Sequence, residues 1–181
     1  MKSENRIGKM ARAGLLCAVL CIVAPISVPV PFSPVPLSLA TFVLCLSVFL
    51  LTKKQALSAC LIYLAAGMVG LPVFSGFSGG VGKLAGPTGG YLLGYPVLVF
   101  TAAWLLAKLP AKTGYRIFSL TAGTICCYLL GTVWLCAQMK VSFWTGLSLA
   151  VLPYLPLDLC KILAAALMGP KIAGQIRRAA G

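Results

Sequence analysis

The sequence predicts an all-α integral membrane protein, a bundle of six transmembrane helices with both termini in the cytoplasm. Three observations carry that expectation. Of 181 residues, 60% are hydrophobic and 9% charged, against about 25% charged in a soluble domain, and the mean hydropathy is +1.01. The apolar residues fall into six runs. The Lys and Arg residues gather in alternate gaps between those runs.

The runs extend from Ala11 to Val30, Leu37 to Leu51, Gln55 to Leu71, Tyr91 to Ala107, Ile117 to Ala137 and Gly146 to Met168. Six helices of about 20 residues would use about 120 residues, leaving short connections and one longer loop. The chain therefore reads as a single membrane domain over 1–181, with 1–10 as a cytoplasmic tail. The first run also resembles a signal peptide, with Lys2, Arg6, Lys9 and Arg12 as its positive region, but no small-x-small cleavage site precedes the prolines that follow.

Basic residues set the orientation, because Lys and Arg accumulate on the cytoplasmic side of short loops. The tail carries four (Lys2, Arg6, Lys9, Arg12), the second connection Lys53 and Lys54, the fourth Lys108, Lys112 and Arg116, and the C-terminus Lys171, Arg177 and Arg178. The opposite connections hold only Lys83 and Lys140. Nucleic-acid binding needs the same charges on one polar face, whereas here they sit between apolar runs, so no nucleic-acid partner is expected. With no His and two acids, Glu4 and Asp158, the chain lacks the parts of paired-carboxylate catalysis, of a catalytic triad and of a His-bearing metal site. No enzyme, metal or cofactor is expected. Most of the eight Cys lie inside apolar runs, with no C-x-x-C, and read as small packing residues.

Two outward connections depart from the apolar pattern. The first contains Pro25, Pro29, Pro31, Pro34 and Pro36; repeated proline removes backbone donors and stiffens an extended path. The second, from Gly70 to Tyr95, carries Gly76, Gly79, Gly80, Gly82, Gly86, Gly89 and Gly90. Glycine lets backbone N–H groups approach a ligand, and anchors such as Leu71, Phe74 and Tyr91 argue against a plain flexible linker. The loop is expected to be ordered and to line a ligand site. It is not a P-loop, because Leu84 follows Lys83 and Phe77 stands where the first glycine belongs. Gly80, Gly82 and Ala85 satisfy a dinucleotide pattern, but the strand-and-helix context it needs is missing.

The last run contains Asp158 and Lys161, three apart and so on one helix face. Ionisable groups at membrane depth cost several kcal/mol unless compensated and generally face a cavity. Pro153 and Pro156 free backbone groups at the same level. A ligand role is expected, against the plainer reading of a self-neutralised pair. In the first run, Gly14 and Ala18 form a small-x-x-x-small pattern that permits close helix approach, within the chain or with a partner.

The segments FSPVP (32–36), GLPVFSGFSGG (70–80), GPTGGYLLGY (86–95), GTVWL (131–135) and LPLDLCK (155–161), in this order and spacing, resemble the BioY family. Its members are biotin-specific substrate-binding (S) components of energy-coupling factor (ECF) transporters. The resemblance implies a six-helix S component of the bacterial inner membrane that binds biotin near the outer face, under the first loop and the glycine loop. It implies substrate contacts at Asp158 and Lys161, at Gly76, Ser78, Gly79 and Gly80, at an apolar wall of Phe74, Tyr91 and Trp134, and at Ala40. Gln is frequent in the family where Ala40 stands and Asn where Ser78 stands. The resemblance also implies that Gly14 and Ala18 dock a transmembrane coupling protein working with two ATPase subunits, that lipid surrounds the chain, and that biotin is cargo rather than cofactor.

Overall fold

The computed structural model describes residues 6–31 and 33–179; Lys2, Glu4 and the rest of 1–5, together with Phe32, lie outside them. Helix α1 (Arg6–Val23) stops ahead of Pro25, where the missing donor and fixed φ of proline end a helix. The expected first run to Val30 is therefore helical only as far as Val23. The proline segment runs extended, pairing β1 (Ser27–Val28) antiparallel to β2 (Leu37–Ser38), with Ser27 opposite Ser38.

Helices α2 (Ala40–Leu50) and α3 (Lys53–Met68) meet at a tight break, where Thr52 opens α3 with a capping box and its N–H donates to Gln55 Oε1 at 3.0 Å. The glycine segment follows. Phe74 and Ser78 bridge across a tight turn made possible by positive φ at Gly76 (73°) and Phe77 (53°). A short helix α4 (Val81–Ala85) leads through Pro87 into α5 (Gly89–Lys108). Helix α6 (Thr113–Met139) ends at Lys140 in the left-handed conformation, φ 54°. Ser142 then caps α7 (Phe143–Ala150), accepting the Thr145 N–H at 3.3 Å.

The last apolar run, expected as one span, is two helices. Helix α8 (Leu155–Ala179) leaves α7 at 60°, because Pro153 and Pro156 supply no N–H across the junction and Pro156 is tolerated only in the first turn. By length and composition α5 and α6 can cross a membrane, and the bent α7–α8 pair makes a third candidate span. Residues 10–23 and α2 are shorter apolar helices; the 11 residues of α2 rise about 16 Å, against a hydrocarbon core of about 30 Å.

The tightest packing runs between α5 and α6, and glycine is its cause. A Cβ on Gly90 would strike Trp134, on Gly94 Cys127, on Gly123 the carbonyl of Leu98, and on Gly131 the ring of Tyr91. Small residues let helix backbones close up where lipid offers no hydrophobic drive for association. Leu44, Leu98, Val99, Leu120 and Ala165 fill the buried centre. Leu61, Ile62, Phe100, Phe118, Leu129, Leu163 and Leu167 face outward, an apolar exterior suited to lipid. At one end the Lys53 ammonium sits 4.5 Å over the Phe100 ring and that of Lys108 4.0 Å over Trp104, both in cation–π reach.

Candidate functional site

Helix α8 starts at the α7–α8 break, and Asp158 lies in its first turn, where the partial positive charge of a helix N-terminus favours an anion. One turn on, Lys161 Nζ donates to Asp158 Oδ1 at 2.7 Å, to the Ser38 carbonyl at 2.6 Å and to Thr41 Oγ1 at 3.4 Å. The other carboxylate oxygen, Oδ2, accepts the Tyr128 hydroxyl. Asp158 and Lys161 are each 8% exposed, a depth at which an unpaired ion would cost several kcal/mol. Helices α2, α6 and α8 each contribute to offsetting that cost.

These groups line a cavity of ≈ 60 Å³ shared with Pro36, Thr41, Tyr91, Tyr95, Cys127 and Tyr154. Four tyrosines give it broad apolar faces with polar tips, the mixture that orients a small ligand. Besides Tyr128, two of the tips are anchored: Tyr91 Oη and Thr132 Oγ1 are 3.1 Å apart, and the Tyr154 hydroxyl donates to the Val35 carbonyl. The second bond ties the proline segment over the cavity.

The other candidates occupy different places. Phe74 is wholly buried beneath the glycine segment, edge-on to Tyr63 with centroids 5.6 Å apart and seated over Gly67. Trp134 donates its indole N–H to the Gly86 carbonyl at 3.0 Å, bracing the turn into α5. Ala40 is buried, and its N–H donates to Ser38 Oγ at 3.1 Å, fixing the turn that aims the Ser38 carbonyl at Lys161. Gly76 and Ser78 line a second, outer cavity of ≈ 310 Å³ between the proline and glycine segments. The Gly76 N–H donates to the Pro25 carbonyl at 3.0 Å and that of Gly80 to Gly67 at 2.7 Å, so these amides hold the loop itself. Gly79 lies flush against the Gly70–Leu71 backbone. Gly14 and Ala18 are exposed on α1, and a Cβ on Gly14 would meet nothing within 4 Å.

Sequence reasoning missed Tyr128, Tyr154, Tyr95, Ser38 and Thr41. A signal for the first existed: Thr124, Tyr128, Gly131 and Thr132 form an i, i+4, i+7, i+8 stripe of small and polar residues on an otherwise apolar helix. Among the described residues no group of three His, Cys, Asp or Glu side chains could hold a metal ion.

Comparison with known proteins places this architecture. The Pyrococcus horikoshii protein named "Probable biotin transporter BioY" is 33% identical over 92% of this chain and 96% of its own length. The Thermotoga maritima "Biotin transporter BioY" is 34% identical over 91% of this chain and 95% of its own. A crystal structure described as the S-component for biotin from an ECF-type ABC transporter superposes with a TM-score of 0.88, at 24% identity, over 95% of this chain and 94% of that one. Transporter relatives and outward-facing apolar helices together make this a multi-pass membrane protein. The BioY family model matches residues 1–178, and the chain belongs to the BioY family.

Proposed function

We propose that the chain is the biotin-binding S component of an energy-coupling factor transporter in the bacterial inner membrane. The carrying observation is the buried Asp158–Lys161–Tyr128 group facing a tyrosine-walled cavity, and the names of the relatives supply the ligand. Asp158 and Lys161 together are net neutral, which suits the uncharged ureido ring: its N–H groups donate to the carboxylate and its oxygen accepts from Lys161 or Tyr128. The thioether ring lies among the tyrosines. The ≈ 60 Å³ cavity is below the roughly 300 Å³ at the lower end of small-molecule pockets. The proline segment, held by Tyr154 and Lys161, therefore lifts to admit the ligand and closes over it.

The topology is six spans with both termini cytoplasmic, α7 and α8 forming the last one. In support, Phe49, Leu106, Arg116, Pro170 and Gly174 line one cleft, so the basic connections and the end of α8 gather at one pole. The proline and glycine segments meet across the outer cavity, away from that pole. The exposed Gly14–Ala18 face of α1 is the docking surface for the coupling protein, whose two ATPase partners supply the energy this chain has no nucleotide motif to harvest. Titration of the purified protein with biotin, paired with labelled-biotin uptake, tests the reading. Saturable binding supports it, and uptake of a different vitamin with no response to biotin reassigns the ligand.

A further inference from the structure

We infer that Lys83 and the serines of the outer cavity form an anion subsite that takes the carboxylate of the transported ligand. This rests on the biotin reading above. The outer cavity is lined by Ser27, Ser33, Ser75, Ser78 and Lys83, and Pro36 lines both it and the inner cavity. The two spaces thus share Pro36 as a common wall, and the aliphatic tail is routed past it.

The inner site is a poor home for a carboxylate. Lys161 is neutralised by Asp158 at 2.7 Å, so a second anion there would face the existing carboxylate in a low-dielectric setting. Lys83 is in the opposite condition. It is half-buried, on the short helix α4, and its ammonium has no hydrogen bond or ion pair among the described residues. The side chains of Ser27 and Ser75 show no hydrogen bond among the described residues either, leaving hydroxyl donors beside it. No acidic side chain lies on that cavity, so an incoming anion meets one sign of charge. A half-buried ammonium with hydroxyls around it makes charge-assisted hydrogen bonds stronger than a fully exposed lysine does.

The test compares biotin with biotinamide, which keeps the rings and tail and loses the charge, by calorimetry on the full chain in detergent. The wild type binds biotin more tightly than biotinamide. Lys83→Gln weakens biotin by about ten-fold and leaves biotinamide within about two-fold, while Lys83→Arg keeps biotin close to wild type. Equal wild-type affinities for the two ligands, or equal losses of both in Lys83→Gln, overturn the subsite and leave the biotin reading standing. No binding of either ligand by the wild type overturns the biotin reading and the subsite with it.

Discussion

The ammonium of Lys161 lies 2.6 Å from the carbonyl oxygen of Ser38, joining α8 to the extended segment that roofs the inner cavity. One side chain therefore balances the charge of Asp158 and fastens the roof. Removing it should have two effects, and they can be measured separately.

Lys161→Ala leaves a buried carboxylate without its cation and releases Ser38, and Asp158→Ala leaves the ammonium without its anion and the Tyr128 hydroxyl without its acceptor. Each should weaken biotin by about 2 kcal/mol or more, the charge-assisted bond together with the orphaned partner. Calorimetry on both variants checks this. Unchanged affinity in both would remove the pair from the binding site.

Tyr128→Phe keeps the ring in the cavity wall and deletes only the hydroxyl that donates to Asp158. The expected loss is about 1 to 2 kcal/mol in biotin affinity, the range for a hydrogen bond to a charged group, with the melting temperature in detergent little changed. A large drop in melting temperature with affinity intact would assign Tyr128 to scaffolding instead.

The α5–α6 seam makes Gly131 intolerant of any side chain, because even a methyl group there would overlap the Tyr91 ring. Gly131→Ala should cost about 1 to 3 kcal/mol through overpacking and push Tyr91 out of the cavity wall. Gly14→Ala, on an open face, is the control and should melt like the wild type.

Gly14→Leu adds bulk to the outward face of α1, where a Cβ would meet nothing within 4 Å. Biotin binding should survive while uptake in cells falls. Normal uptake by that variant would move the coupling protein to a different face.

The proposed orientation places residue 181 in the cytoplasm. A reporter fused there should be active only inside the cell, and a reporter in the Lys140–Ser142 turn only outside. The reverse pattern would invert the bundle.

How far the sequence reached depended on the range of the interaction. That Asp158 and Lys161 meet follows from a spacing of three on a helix, and the end of α1 follows from Pro25, both local effects. The break between α7 and α8 was marked by Pro153 and Pro156, yet hydropathy averaged across it and gave no sign of the 60° bend. Tyr128 and Tyr154 were out of reach. Tyr128 lies 30 residues from Asp158 and Tyr154 lies 119 from Val35, so their meetings depend on how α6 and α8 turn against their neighbours. The partners of the glycine-loop amides were equally out of reach: those of Gly76 and Gly80 donate to Pro25 and Gly67.

Among the described residues every buried side-chain nitrogen and oxygen has a hydrogen-bond partner. On the proposed reading, a ligand that displaces the Tyr128 or Lys161 bond to Asp158 has to return an equivalent one. A molecule of the right shape but without donors would strand the carboxylate, at about 1 to 3 kcal/mol or more for each group left unpaired. Selectivity then resides in the penalty on impostors as much as in attraction for the true cargo, and a lipid chain straying in from the bilayer has nothing to trade.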